Sequence, residues 1–266
     1  SLDAQRNLAG VQQAQTQNCQ RRSSGMRINS AADDAAGLGI SESLKSQVRS
    51  YSVAERNTNN AVSMAQTAEG ALGSVAGILG RMRELAVQSA NGDLTSTDRG
   101  YLDTEFQALR SEITRVADST KFNGKDLLAG ASTTVTFQVG INNSAADQID
   151  VSFGNVSLST LGTATSNLSG STDTNAEATL AAIDCAIQHV SPRRADFGAT
   201  RNRLTNTVAN IQSMKTNMAA ANSRIRDVDV AEESASMARN QVLAQAGVSV
   251  LAQANQAPQL ALSLLR

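Results

Sequence analysis

The sequence predicts a mainly α chain: a long antiparallel helical bundle or coiled coil with a small β-hairpin region and paired N- and C-termini. Three observations predict it. A ladder of apolar and small residues, stepping by four and three, runs from Ile40 to Ala86 without a proline. A second ladder returns from Ile183 to Ile225, and two short period-2 runs lie between them. The first ladder alone would be roughly 70 Å long at the α-helical rise. Such a seam needs an equally long partner, in the same chain or in another copy.

Composition agrees. Aromatics make up 3% of the 266 residues and Trp is absent, which is sparse for an ordinary globular core. Ala, Gln, Asn and Ser suit thin bundles whose backbones approach closely. The net charge of -1 gives no pull toward nucleic acid or an anionic membrane. No apolar run is long enough to span a bilayer, and no cleavable secretory signal is readable. Cys19 and Cys185 have no metal-type spacing and read as small buried helix residues.

Taken in order, residues 1–20 read as a Gln-rich helix with Leu2, Leu8 and Val11 as its thin apolar marks. Residues 21–29 read as a non-helical joint. Ser30-Ala31-Ala32-Asp33 reads as a capping box opening the long helix. Its ladder is Ile40, Leu44, Gln47, Tyr51, Ala54, Thr58, Ala61, Ala65, Ala68, Leu72, Val75, Leu79, Met82 and Ala86, and Asn91-Gly92 should end it. Thr95-Ser96-Thr97-Asp98 is a second capping box. The helix it opens carries Leu102, Phe106, Leu109, Ile113 and Val116, and should stop near Lys121–Gly124.

The period then changes. Val135, Phe137 and Val139 alternate, as do Ile149, Val151 and Phe153, which predicts a hairpin. Residues 157–175 are rich in Ser, Thr, Gly and Asn and read as an exposed loop. Thr174-Asn175-Ala176-Glu177 is a third capping box. The return ladder holds Ile183, Ile187, Val190, Phe197, Leu204, Val208, Ile211, Met218 and Ile225, and Pro192 should kink it or begin a fresh turn. A last helix beyond Asp227 carries Ala235, Ala238, Val242, Ala246 and Val250, and leads to an apolar end that should be buried against copies of the chain.

No catalytic constellation emerges. His189 is the single histidine and reads as a helix-surface or satisfied residue. Gly37-Leu38-Gly39 follows no strand, so it does not make a nucleotide loop. Gly70, Gly73, Gly77 and Gly80 fall in the helical ladder, where close helix approach or local bending would offset their cost. Neither an enzyme, a cofactor nor a metal is expected.

The stretch SSGMRINSAADDAAGLGISESLKSQVRS, followed by NNAVSMAQTAEGALG, GRMRELAVQSANG and TKFNGKDLLAG, resembles the N-terminal signature of bacterial flagellins. ANSRIRDVDVAEESASMARNQVLAQAGVSVLAQANQAPQLALSLLR resembles the C-terminal signature. Family chains also carry a Met and an Ile-Asn-Thr-Asn-type segment ahead of the part matched here. The resemblance implies residues 1–29 as channel-helix segment and spoke, 30–130 as core helices, and 131–175 as hairpin and loop at the outer tip. It implies 176–222 as the returning core helix and 223–266 as C-terminal spoke and channel helix.

It also implies a subunit that polymerises into the extracellular flagellar filament for swimming. Type III export, an export chaperone, a cap protein and hook-junction proteins accompany that role; a hook-junction or adhesive relative is the alternative. The assembly seam would be Leu72, Val75, Leu79, Met82, Leu204, Val208 and Ile211. Recognition by Toll-like receptor 5 would involve Arg81, Leu85 and Glu105, and NAIP receptors would sense Leu262, Leu264 and Leu265. The Ser/Thr-rich loop matches a region that many family members O-glycosylate.

Overall fold

A computed structural model describes residues 2–130, 132–170 and 173–264, with side chains from residue 3 to residue 253 of these. The chain is mainly helical: α1 (Leu2–Ser24), α2 (Ala35–Ser89), α3 (Ser96–Ser119), α4 (Thr174–Arg226) and α5 (Val230–Leu264). Between α3 and α4 come two antiparallel hairpins, β1 (Lys121–Phe122) with β2 (Lys125–Asp126), and β3 (Thr133–Gln138) with β4 (Gln148–Phe153). The residues divide into two compact units. One is Ser1–Arg49 with Lys215–Arg266, and the other is Ser50–Met214.

In the first unit, α1 continues through the expected joint and stops only at Gly25, whose φ of 70° is a left-handed C-terminal cap. The joint is therefore shorter, and its backbone is tied down. Arg27 N–H donates to the Arg226 carbonyl at 2.6 Å, and Val228 N–H to the Gly25 carbonyl at 3.1 Å. Ser30 is not the cap of α2. Asp33 accepts from the backbone N–H groups of Asn29 and Ser30, closing a turn. The cap is Asp34, whose carboxylate accepts from Gly37 N–H at 2.8 Å. Gly37 faces Ile28 so closely that an added Cβ would lie 2.7 Å from its Cδ1. Ile40 is 54% exposed, and the neighbouring Ser41 is buried in its place. The seam steps by three, not four, back from Leu44.

The α1–α5 pairing overturns another expectation. Ala235, Ala238, Val242, Ala246 and Val250 all face solvent. The more buried side of α5 is Glu233, Met237, Asn240, Ala244, Gly247 and Leu251, again a 4-3 ladder. It matches the less exposed side of α1, which is Ala4, Leu8, Val11, Ala14, Gln15, Asn18 and Arg21. Oriented to satisfy its neighbours, the Asn18 amide donates to Glu233 Oε1 at 2.8 Å and accepts from Asn240 Nδ2 at 3.1 Å. Leu8 packs where Gly247 leaves room; an added Cβ would come within 3.3 Å of it. Buried polar groups must be paired. This network therefore helps decide which side of α5 turns inward: Met237, Ala244 and Leu251 go with it, and Val242, Leu243, Val248 and Val250 are left outside.

In the second unit, every ladder residue of α2 from Tyr51 to Ala86 is buried. Phe106 and Ile113 of α3, and Ile183, Val190, Phe197, Leu204 and Ile211 of α4, are buried as well. Thr95 and Asp98 form the expected reciprocal capping box. The third box shifts by one residue: Thr174 is already helical, and Glu177 N–H bonds to the Asp173 carbonyl. Helix α4 runs through Pro192 without a fresh start. Pro192 and Gln188 are both exposed, so the carbonyl left without an intrahelical donor faces solvent.

Asn123 (φ 49°) and Gly124 (φ 77°) make the two-residue turn of the first hairpin, of the kind an Asn-Gly pair favours. In the second, Val135 pairs with Val151 and Phe137 with Ile149, and β4 alternates exposed and buried residues throughout. The following segment is not simply exposed: Val156, Leu161, Thr163 and Leu168 are buried. Its backbone is anchored by Leu168 N–H donating to Asp103 Oδ1 at 2.7 Å and by Ser89 Oγ donating to the Leu168 carbonyl at 3.2 Å. Cys19 and Cys185 are exposed, on helix faces turned away from the core.

Candidate assembly interface and recognition cluster

The proposed seam residues form the subunit's own core. Leu72, Val75, Leu79, Met82, Leu204 and Ile211 are buried within the chain, and Val208 is half-buried. The six buried ones are closed to a neighbour in this conformation, so their burial stabilises the bundle itself. At about 1.5–3 kcal/mol for each large aliphatic side chain, they are a main term in its stability.

Polar rungs flank this seam. Arg83 Nε donates to Asp184 Oδ1 at 2.7 Å, Arg201 Nη1 to Glu69 Oε2 at 3.3 Å, and Gln212 Nε2 to Glu55 Oε1 at 2.9 Å. On α2, positions 55, 69 and 83 are two heptads apart, so the rungs repeat on one face. Sequence reading missed them, although charged residues at heptad spacing beside the ladder were a usable signal. Exposed pairs of this kind contribute little energy but specify register.

Arg81 and Glu105, two of the three receptor-contact residues that the resemblance implies, are joined by an ion pair. Arg81 Nε donates to Glu105 Oε1 and Nη1 to Glu84 Oε2, both at 2.9 Å. The bonds to Glu105 and then Glu84 hold the guanidinium above its ordinary pKa. Leu85 does not join them at the surface; it is 1% exposed and lies in the core beneath. The side chains of Leu262 and Leu264, and the whole of Leu265, lie outside the described residues.

Gly70, Gly77 and Gly80 have nothing within 4 Å of an added Cβ. They serve no close helix approach inside the chain. On α5, Val242 (65% exposed), Val248 (56%), Val250 (55%) and Leu243 (48%) stand in solvent. Beside them, Leu8, Val11, Leu243, Ala246 and Val250 line an apolar groove of about 360 Å³ between α1 and α5. Such a surface can do one thing well chemically: remove itself from water by packing on another surface.

Known proteins resemble this chain. Residues 1–133 match the bacterial flagellin N-terminal helical region, and residues 180–265 match the bacterial flagellin C-terminal helical region. A flagellin of Halalkalibacterium halodurans is 45% identical over all of this chain and 97% of its own. A flagellin of Bacillus subtilis is 38% identical with the same coverage. Among solved structures, Bacillus cereus flagellin superposes with a TM-score of 0.50 at 36% identity, covering 63% of this chain and 94% of its own. A flagellar hook-associated protein of Vibrio parahaemolyticus, 18% identical, shares the fold with a TM-score of 0.61, covering 73% of this chain and 100% of its own. With both terminal helical regions matched and the whole chain aligned to flagellins, the chain belongs to the bacterial flagellin family and is a structural subunit of the flagellar filament.

Proposed function

We propose that this subunit passes through the flagellar type III apparatus unfolded and polymerises outside the cell, covering the outward apolar residues of α5 with other copies of the same chain. The observation that carries this reading is the exposure of Val242, Leu243, Val248 and Val250 on one helix. Residues 1–29 and 223–266 act as channel helices and spoke. Residues 30–130 and 176–222 act as core helices, and 131–175 as the outer hairpin and loop. The role is structural, with no reaction catalysed.

A chaperone holds the C-terminal part before export, a cap protein governs growth, and hook-junction proteins join the base. Toll-like receptor 5 meets the Arg81–Glu105 pair, with Leu85 supporting the surface from below, and NAIP receptors read Leu262, Leu264 and Leu265. Electron microscopy of polymerised chain tests the reading. Long filaments are expected. A short junction, or no polymer, would favour a hook-junction or adhesive role instead.

A further inference from the structure

The turn between α2 and α3 joins an exposed Asn-Gly pair to a buried cation. Asn91, Gly92 and Asp93 are exposed. Among the described residues, neither the Asn91 side-chain amide nor the Gly92 N–H makes a hydrogen bond. Arg99 enters α3 one residue after the capping Asp98 and is 3% exposed. Its Nε donates to the Ser89 carbonyl at 2.9 Å and its Nη2 to the Asn91 carbonyl at 3.1 Å. Among the described residues, no carboxylate lies within 4 Å of it.

We propose that Asn91–Gly92 is a self-modifying site, at which Arg99 promotes deamidation and then pairs with the product. The nucleophile is the Gly92 amide nitrogen after loss of its proton to hydroxide or buffer base. The resulting negative charge spreads onto the Asn91 carbonyl oxygen, the atom that the Arg99 guanidinium already touches. A fixed donor at the atom where charge develops lowers the barrier. The nitrogen attacks Asn91 Cγ, water gives a proton to Nδ2, the Cγ–Nδ2 bond breaks, and ammonia leaves as a five-membered succinimide closes.

Water then opens the ring. Attack at Cγ leaves aspartate. Attack at the former backbone carbonyl carbon leaves isoaspartate, whose chain runs through Cβ and Cγ and whose new carboxylate contains that same carbonyl oxygen. The isoaspartate carboxylate therefore forms against Arg99, replacing a neutral acceptor by a charged one. A carboxylate near the C-terminal end of α2 would otherwise be disfavoured by the helix dipole.

The chain carries its own control. Asn123–Gly124 is also exposed, but its turn is closed by the Lys121–Asp126 and Phe122–Lys125 pairs. Attack there requires the hairpin to open, and no guanidinium donates to the Asn123 carbonyl among the described residues.

The test incubates the full chain at neutral pH, folded and in urea, and follows both sites by peptide mass mapping and isoaspartyl methyltransferase labelling. Asn91 should convert about tenfold faster than Asn123 in the folded chain, a modest effect for one preorganised donor. In urea the two should convert alike. Arg99→Lys, checked for folding by circular dichroism, should slow Asn91 and leave Asn123 unchanged. Equal rates in the folded chain would overturn the proposal. So would acceleration by Arg99→Lys, which would make the Arg99 contact a restraint. If Arg99→Lys does not fold, the rate at Asn91 itself decides: faster conversion in the folded chain than in urea supports the proposal, and equal or slower conversion overturns it.

Discussion

Replacing Val242 and Val248 by serine tests whether the outer side of α5 is an assembly surface. Both are more than half exposed in the free subunit, at 65% and 56%, and neither lines the α1–α5 groove. Serine and valine have similar helix propensities, so the helicity of the isolated chain should not change. Burying a whole valine is worth about 1.5 kcal/mol. Covering the part still in water is then worth about 1 kcal/mol at each site, and about 2 kcal/mol for the pair. At about 1.4 kcal/mol per factor of ten, the critical concentration for polymerisation should rise roughly twenty- to thirtyfold. Sedimentation of polymer at graded subunit concentrations measures it, and circular dichroism confirms that the monomer is intact. An unchanged critical concentration would refute the reasoning, because these side chains would then stay in water in the filament.

Leu79→Ala should destabilise the second unit by about 2–5 kcal/mol, since Leu79 is fully buried; urea denaturation reads it directly. Thr95→Ala removes one half of a complete capping box and should cost about 1 kcal/mol on the same assay. Hydrogen bonds from the Thr95 hydroxyl and backbone N–H hold the Asp98 carboxyl below its ordinary value of 3.8. Its contribution is therefore fully present above that value and is lost as pH falls through the lower folded value. Carboxyl titration followed by NMR should show the depressed midpoint, and Thr95→Ala should move it upward. Arg81→Ala breaks pairs that are about half exposed and should leave thermal stability nearly unchanged, while receptor-reporter signalling should fall.

Much of the second unit was legible from periodicity. The ladder from Tyr51 to Ala86 is buried as read, because a continuous 4-3 repeat leaves only one face to bury. Thr95–Asp98 capped its helix as read, since a capping box is satisfied by neighbours in sequence. Ser30–Asp33 has the same pattern and closes a turn ahead of Asp34 instead. Two acidic residues in succession offered two start points, and Gly37 packing on Ile28 selected the later one. The segment 157–175 reads as exposed because its composition is polar on average, whereas Leu161 and Leu168 are spaced widely enough to reach the core separately. Neither the Arg81–Glu105 ion pair nor the burial of Leu85 beside it is legible in the sequence, because both depend on how α2 and α3 pack.

The sequence by itself determined the helices, the hairpin, the reversal of the chain and the flagellin family, because these rest on short-range periodicity, turn chemistry and long contiguous motifs. Only the tertiary structure decided which face is used where pattern and burial part. On α2 the apolar face and the buried face coincide, so pattern sufficed. On α5 they do not: the Asn18–Glu233–Asn240 network turns inward a mixed face that also holds Met237, Ala244 and Leu251, and leaves Val242, Val248 and Val250 outside. Pairing buried polar groups depends on residues more than two hundred positions apart in sequence, which no local repeat can report.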